Sequence, residues 1–340
     1  SEMCIRDRCD SYNMQLLGYL PFDQQTSDIT GFYQDGREFA VVGLQNTTAF
    51  VDVTNPANSF EVGRIDGGTS IWRDLKYWDR HVYIGTEADD GIKIVSVDDL
   101  DNPVLVNTIT DVDNSHNIHV DEDGYFYIVG ADEHEIWIYD LSIPSNPTLV
   151  GTWDEEYIHD LDVKNNLAYA MGINTSTAYI IDLSDKTSPQ TLVSWQYPGM
   201  AHDAAVTEDG NYLVTADEMQ GGNLKLWDIR DYSNINLLDE FTVDPTHSVH
   251  NVYIKDGLVY TSYYADGTRV YDISSLTFNE IGYYDTSEID GLYVGNWGTY
   301  VYLPSNNIIS SDIETGLYIL QFGGVTIQHD NILDQAYSLI

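Results

Sequence analysis

Four histidines recur at matching points of the chain, and they are the residues best suited to carry chemistry. Each opens a short segment of alternating apolar residues and is followed at once by Asp or Asn, in the pairs His116-Asn117, His159-Asp160, His202-Asp203 and His250-Asn251. Asp28, Arg73-Asp74 and Asp290 stand at the corresponding points of the other copies. Imidazoles brought together from consecutive copies are suitable ligands for Fe, Cu or Zn.

We therefore consider His116, His159, His202 and His250 as candidate ligands of a divalent metal. Carboxylates that end the next apolar segments, Glu87, Glu133 and Glu218, are candidates for orienting the ring nitrogens. A metal held in this way would activate water or oxygen, as in an oxidoreductase or a hydrolase. Two other interpretations stay open: each histidine is a structural device that bonds the neighbouring repeat, or it contacts a bound ligand directly.

The segments that carry these residues belong to an internal repeat of about 43 residues. One phrase of the repeat reads IYDLSIPSNPTLVGTW from Ile138 and IIDLSDKTSPQTLVSW from Ile180. A second phrase lies between these copies, as in IHDLDVKNNLAYAMG from Ile158. Each unit therefore contains four short alternating strands, rich in Tyr, Val and Ile and separated by turns such as Asp-Gly and Asn-Asn.

Seven such units predict an all-β fold, a seven-bladed β-propeller of four-stranded antiparallel blades. The seventh copy lacks a fourth strand, and the stretch from Met14 to Phe22 reads like the missing one. We expect it to pair into the last blade and close the ring, because an open ring would expose two sheet edges. The expected domain spans 14–322, after an N-terminal segment 1–13 and before a tail or linker stub at 323–340. Residues 1–9 resemble translated sequencing-adapter sequence and are excluded from the fold.

The phrase with Asp after the strand and Pro before the next strand resembles the LVIVD repeat. The order of the repeats, which ends in ISSDIETGLYILQF, is similar to that of the bacterial choice-of-anchor B family. The resemblance implies an exported β-propeller, located outside the cell or at the cell surface, and often followed by a C-terminal sorting or anchoring module. It implies no particular reaction.

The start of each blade's innermost strand lies at one face of a propeller, so the polar residues there should surround the mouth of the central channel. The expected channel-mouth residues are Asp28, Arg73, Asp74, His116, His159, Asp160, His202, Asp203, His250 and Asp290. Such concave, convergent places favour ligand binding. The leading hypothesis is therefore a binding module for a small polar ligand, a glycan or a protein partner, and the metal-dependent enzyme is the alternative.

The charge of the chain excludes several other functions. It has 14 Lys and Arg against 55 Asp and Glu, a net charge of −41, which repels the phosphate backbone of nucleic acids and anionic membranes. Strong acidity keeps a protein soluble and favours a monomer. The only cysteines are Cys4 and Cys9, so no cysteine-based zinc site or disulfide framework is expected. No apolar run is long enough to cross a bilayer as a helix.

Overall fold

Seven antiparallel sheets follow one another along the chain in a computed structural model, which describes residues 10–323. Each sheet forms a blade, and the predicted seven-bladed, all-β architecture is confirmed. Within the described range there is no α-helix, and one 3-10 turn covers Pro56–Asn58. The expectations for residues 1–9 and 324–340 lie outside the described residues.

In each of the first four blades the strands follow one another in chain order from the channel outwards. Blade 1 contains Thr26–Gln34, Arg37–Leu44, Thr47–Asp52 and Phe60–Asp66. Blade 2 contains Arg73–Trp78, His81–Thr86, Ile92–Ser96 and Val104–Ile109. Blade 3 contains Asn117–Val120, Tyr125–Val129, Ile136–Asp140 and Thr148–Trp153. Blade 4 contains Asp160–Lys164, Leu167–Gly172, Thr177–Asp182 and Gln190–Gln196.

The remaining three blades continue this order, and two strands from residues 11–20 join blades 6 and 7. Blade 5 contains Ala201–Val206, Tyr212–Asp217, Leu224–Asp228 and Asn236–Phe241. Blade 6 contains Val252–Lys255, Leu258–Ser262, Thr268–Asp272 and Asn279–Tyr284, with Ser11–Tyr12 as a fifth strand. Blade 7 contains Asn296–Tyr300, Ile308–Asp312 and Gly316–Phe322, with Met14–Leu20 as its fourth strand.

Tight turns and alternating apolar residues explain why these segments form hairpins. The turns between first and second strands contain residues with positive φ, such as Asp35-Gly36, Asn165-Asn166 and Asp256-Gly257. Asn, Asp and Gly tolerate this conformation, which matches the right-handed twist of the strands. In each blade a register shift follows between the third and fourth strands, for example between Ile138 and Tyr139.

The hydrophobic core lies between the blades and is divided into one cluster per interface. Seven clusters join blades 1 and 2, 2 and 3, and so on to 6 and 7 and back to 1. The cluster between blades 3 and 4, for example, contains Tyr127, Ile138, Leu161 and Ile181. Because the first strands of neighbouring blades pack together around the axis, their starting residues are brought to one mouth of the channel.

The ring is closed by the strand that the sequence predicts. Met14–Leu20 pairs antiparallel with Gly316–Phe322, with Met14 opposite Phe322. The chain also reaches the neighbouring blade, because Ser11 and Tyr12 pair with Tyr284 and Tyr283. The sequence predicts no strand at this dipeptide, because two residues are too few to show an alternating pattern.

The seventh blade begins later in the chain than the repeat spacing suggests. The spacing places strands near 291–295 and 300–304, whereas the structure has Asn296–Tyr300 and Ile308–Asp312. The loop between blades 6 and 7, residues 285–295, is longer than the corresponding loops. Tyr300 therefore ends the first strand, although the tyrosines that match it in the other copies lie on second strands.

Candidate functional site

Four imidazoles follow one another at one mouth of the channel, with neighbouring rings tilted by 46–52°. The ring centroids of His116 and His159 are 4.0 Å apart, those of His159 and His202 are 4.4 Å apart, and those of His202 and His250 are 4.6 Å apart. Each histidine lies within two residues of the start of the first strand of its own blade, so the fold places the four residues side by side around the axis. We call these four residues the histidine cluster.

The outer members of the histidine cluster are held by hydrogen bonds on their Nδ1 atoms. His116 Nδ1 lies 2.6 Å from Glu87 Oε1, and His250 Nδ1 lies 2.6 Å from the carbonyl oxygen of Trp297. Both partners accept hydrogen bonds, so each Nδ1 carries a proton, and in the neutral imidazole Nε2 then presents a lone pair.

Glu218 is the carboxylate closest to the centre of the cluster. Its Oε2 lies 3.4 Å from His202 Nε2, and its Oε1 lies 3.9 Å from His250 Nε2. The Tyr264 hydroxyl donates a 2.5 Å hydrogen bond to Glu218 Oε1 and fixes the carboxylate in place. Burial raises the pKa of Glu218, and the hydrogen bond from Tyr264 opposes this effect.

The inner members of the cluster are buried and lack hydrogen-bond partners. His159 Nδ1 and both ring nitrogens of His202 have none, although the residues are only 6% and 1% exposed. Burial and the neighbouring imidazoles hold the pKa values of both histidines well below the ordinary value, and burial lowers that of His250 to about 3. The three rings are therefore neutral at physiological pH, which is the form that binds metals.

A second layer of polar residues lies directly below the histidine cluster and joins neighbouring blades. We call it the Asp/Asn ring: Asp28, Asp74, Asn117, Asp160, Asp203 and Asn251. Asp74 Oδ2 accepts a hydrogen bond from Ile118 N of the next blade, at 2.9 Å, and Asp203 Oδ2 accepts one from Val252 N, at 2.8 Å. Asn117 Nδ2 donates to Asp160 Oδ2 at 2.6 Å.

The carboxyl groups of the Asp/Asn ring are electrostatically unusual. Burial and the neighbouring Asp74 raise the pKa of Asp28 to about 7, and burial raises that of Asp203 to about 8. Burial and the charges of Asp203 and Asp74 raise the pKa of Asp160 well above its ordinary value. Carboxyl groups in such a setting exchange protons near neutral pH and can donate as well as accept hydrogen bonds.

Beyond the Asp/Asn ring the channel widens into a cavity of about 320 Å³, which we call the axial cavity. Its lining includes Asp28, Asn117, Asp160, Asp203 and Asn251 of the ring, followed by Lys76, His119, Asp162, Tyr253, Tyr300 and Tyr302. Burial alone would lower the pKa of Lys76, but the carboxylates of Asp74 and Asp28 raise it. The cavity therefore combines the cationic groups of Lys76 and Lys164 with acidic groups, amides and phenols.

The remaining candidates from the sequence are placed differently. Arg73 is 2% exposed and donates to the carbonyl oxygens of Leu44 and Gly68, at 3.0 and 2.6 Å, so its guanidinium links backbone segments. Asp290 lies in the loop before blade 7, with its side chain 90% exposed, and contacts His247 at 2.7 Å. Trp297 takes the position next to His250 instead. Glu133 is exposed, and the structure gives it no contact with the histidine cluster.

Several functional candidates were not found from the sequence. Lys76, His119 and Tyr253 lie on first strands, and alternation along those strands indicates which side chains face the channel. The sequence does not predict Tyr300 and Tyr302 as lining residues, because the repeat spacing places the first strand of blade 7 too early in the chain.

Residues 114–155 match the model of the LVIVD repeat. The matched stretch covers blade 3 completely and includes His116 and Asn117, so one member of the histidine cluster belongs to it. The resemblance to the choice-of-anchor B family is consistent with an LVIVD propeller. No curated protein matches the chain. Among the residues that the structure describes, no helix is long and apolar enough to cross a membrane.

Proposed function

We propose that this LVIVD propeller is an extracellular or cell-surface binding module that takes a small polar ligand, such as one unit of a glycan, in the axial cavity. The observation that carries the proposal is the cavity itself, about 320 Å³ on the propeller axis and lined by side chains from several first strands. Ligand sites typically have volumes of about 300–1,000 Å³ and a few convergent polar groups. The propeller domain proposed for this role spans 14–322.

The lining favours a ligand with several hydroxyl groups. Asn117 and Asn251 offer amide donors and acceptors, and the carboxyl groups of Asp160 and Asp203 with raised pKa values do the same. A saccharide hydroxyl both donates and accepts, so it matches such a lining without requiring an opposite charge. Tyr253 and Tyr302 add aromatic surface against which a sugar ring can pack.

Of the channel-mouth residues predicted from the sequence, Asp28, Asp160 and Asp203 line the axial cavity and are the proposed contacts. The others lie outside that lining: Asp74, His116, His159, His202 and His250. The geometry does not support Asp290 and Arg73 as contacts, because one side chain is solvated in a loop and the other is engaged by backbone carbonyls. Secretion and surface location rest on the resemblance to the LVIVD and choice-of-anchor B families and fit the strongly acidic composition.

The proposal is tested with labelled protein on a glycan array, followed by calorimetric titration of the saccharides that bind. Lys76→Met removes a lysine of the cavity lining that is paired with Asp74 of the Asp/Asn ring, and we expect about a tenfold or greater loss of affinity. Lys93→Met is the matched control, because Lys93 pairs with Asp90 outside that lining.

Two outcomes contradict the proposal. Equal affinities for Lys76→Met and Lys93→Met would mean that the ligand binds away from the axial cavity. No bound saccharide on the array, together with an unchanged thermal midpoint in high concentrations of hexoses and amino sugars, would exclude a glycan ligand.

A further inference from the structure

We propose that the channel mouth binds one divalent transition-metal ion, with His202 as the central ligand and the remaining ligands drawn from His116, His159, His250 and Glu218. This inference is independent of the proposed glycan site, because the histidine cluster lies on the other side of the Asp/Asn ring from the axial cavity. It concerns the binding of the ion and assigns no reaction to it.

Two overlapping sets of ligand atoms carry the geometric argument. One atom each from His116, His159 and His202 lie within 4.8 Å of one another, and so do atoms of His202, Glu218 and His250. Two nitrogens bound to one tetrahedral zinc ion stand about 3.4 Å apart, given zinc–nitrogen bonds of about 2.0–2.1 Å. Small rotations of the side chains therefore bring either set to bonding distance, and His202 belongs to both sets.

The hydrogen bonds around the histidine cluster prepare its outer members for a metal. Ligating histidines almost always donate their second ring N–H to a carboxylate or a backbone carbonyl, which fixes the tautomer. His116 makes the first kind of bond, to Glu87, and His250 makes the second kind, to the Trp297 carbonyl. In both residues the free Nε2 carries the lone pair that a metal requires.

The inner members supply the second, independent observation. His202 is 1% exposed and has two ring nitrogens without hydrogen bonds, and His159 Nδ1 is likewise buried without a partner. Buried polar nitrogens normally have a hydrogen-bond partner in a folded protein, because losing hydrogen bonds to water without replacing them costs free energy. Glu218 Oε2 lies 3.4 Å from His202 Nε2 but forms no hydrogen bond with it, and an ion at the centre of the cluster would satisfy the nitrogens that point to it.

The donor set selects the class of ion. Several imidazoles with one carboxylate suit Zn²⁺, Cu²⁺, Ni²⁺ or Fe²⁺, whereas Mg²⁺ and Ca²⁺ prefer sites made of oxygen atoms alone. The carboxylate groups of Glu87 and Glu218 provide negative charge beside the ion. The only arginine at this mouth, Arg73, is held by backbone carbonyls and so does not occupy the centre of the cluster.

The experiment is a calorimetric titration of the full chain with Zn²⁺, after treatment with a chelator and dialysis. The net charge of −41 favours nonspecific binding of divalent cations to the acidic surface. Excess Mg²⁺ in the buffer therefore occupies these surface sites during the titration. We expect one strong site per chain. His202→Ala should lose at least a hundredfold in affinity, and His81→Ala, at the start of the second strand of blade 2 and away from the histidine cluster, should lose none.

Two further measurements keep the test decisive if His202→Ala does not fold. Glu87→Gln keeps the ligands but alters the partner of His116, and we expect about a tenfold to hundredfold loss of zinc affinity. Co²⁺ bound to the wild-type chain should give the intense visible absorption of a tetrahedral nitrogen-rich site, and Zn²⁺ should abolish it.

The proposal is overturned if the wild-type chain binds no Zn²⁺ in the presence of Mg²⁺. It is equally overturned if Glu87→Gln and a folded His202→Ala bind Zn²⁺ as tightly as the wild type does, or if bound Co²⁺ gives only the weak spectrum of an octahedral oxygen site. None of these readouts depends on a saccharide, so failure of the metal site and failure of the glycan site are distinguished.

Discussion

Single aspartates of the Asp/Asn ring hold neighbouring blades together as well as lining the channel. Asp74 illustrates this: its Oδ1 accepts from the following amide of Leu75 at 2.6 Å and from Lys76, and its Oδ2 accepts from Ile118 of the next blade. A residue at this position therefore links two blades before any ligand is considered.

We predict that Asp74→Asn destabilises the protein by about 1–3 kcal/mol, because the amide cannot accept all three hydrogen bonds and leaves Lys76 without its counter-charge. Chemical unfolding followed by tryptophan fluorescence measures the change. Asp123→Asn, in an exposed turn of blade 3, is the matched control and should leave the unfolding free energy unchanged. Equal stability of the two variants would show that the link between blades is unimportant.

A second residue-scale prediction concerns His247, whose two ring nitrogens each face a carboxylate. Nδ1 lies 2.9 Å from Asp266 and Nε2 lies 2.7 Å from Asp290, and Asp244 stands nearby. Partial burial lowers the pKa of His247, but the hydrogen bonds to Asp290 and Asp266 outweigh this effect and raise it above 6.5.

A raised pKa in the folded state means that the charged form stabilises the fold. We expect this contribution to be complete below about pH 6.5, the unfolded value, and to disappear as the pH rises through the folded pKa. An NMR titration of the imidazole measures the folded pKa, and Asp290→Asn should lower it. If the stability difference between wild type and His247→Gln is the same at pH 5.5 and pH 9, the interpretation is wrong.

The sequence predicts much of the site at the scale of residues, because each polar pair recurs at one position of the repeat. It places the four histidines on four first strands, and the structure brings their rings together. The sequence does not show whether Asp290 or Trp297 stands at the start of the first strand of blade 7, because both precede Tyr300. Only backbone pairing, with Tyr264 and with the strand Ile308–Asp312, decides which segment forms that strand.

At the scale of elements, the blades differ in how closely the fourth strand approaches the backbone of its neighbour at the register shift. Gly151 shows how close: a Cβ atom built there would lie far inside van der Waals contact with the carbonyl oxygen of Lys186 in blade 4. Gly63 holds the same position in blade 1, but the nearest atom to its Cβ would be Pro103 Cδ at 3.1 Å.

Gly151→Ala should therefore destabilise the protein by about 1–3 kcal/mol, because the added methyl group must displace the backbone of the neighbouring blade. Gly63→Ala is the matched control and should change the unfolding free energy much less, since a proline ring can shift slightly. Thermal and chemical unfolding of both variants give the comparison. A larger effect for Gly63→Ala would contradict the proposed role of backbone contact.

The repeat pattern also explains which elements the sequence could locate. Hairpins with Asp-Gly or Asn-Asn turns fix their own register, so the strands of blades 2 to 6 fall where the repeat places them. Blade 7 could not be placed in this way, because the length of loop 285–295 depends on contacts with other blades, such as the hydrogen bond from Asn296 N to the Tyr264 carbonyl.

At the scale of the whole molecule, stability depends on completing the ring, since every hydrophobic cluster joins two blades. Met14–Leu20 completes blade 7, and Met14 also belongs to the cluster between blades 6 and 7. The dipeptide Ser11–Tyr12 adds only a short edge to blade 6. Removal of Met14–Leu20 should therefore destabilise the protein much more than removal of Ser11–Tyr12.

We predict that removing residues 1–12 lowers the thermal midpoint only slightly, whereas removing residues 1–20 abolishes the single cooperative transition. The longer deletion exposes the edge of Gly316–Phe322 and uncovers Leu320 and Ile319, which invites pairing between chains. Differential scanning calorimetry and light scattering distinguish the two deletions. A synthetic peptide of residues 13–22, added to the longer deletion, should restore part of the transition, because blade 7 can accept the strand from another molecule. If the chain without residues 1–20 unfolds as cooperatively as the full chain, closure by this strand does not stabilise the ring.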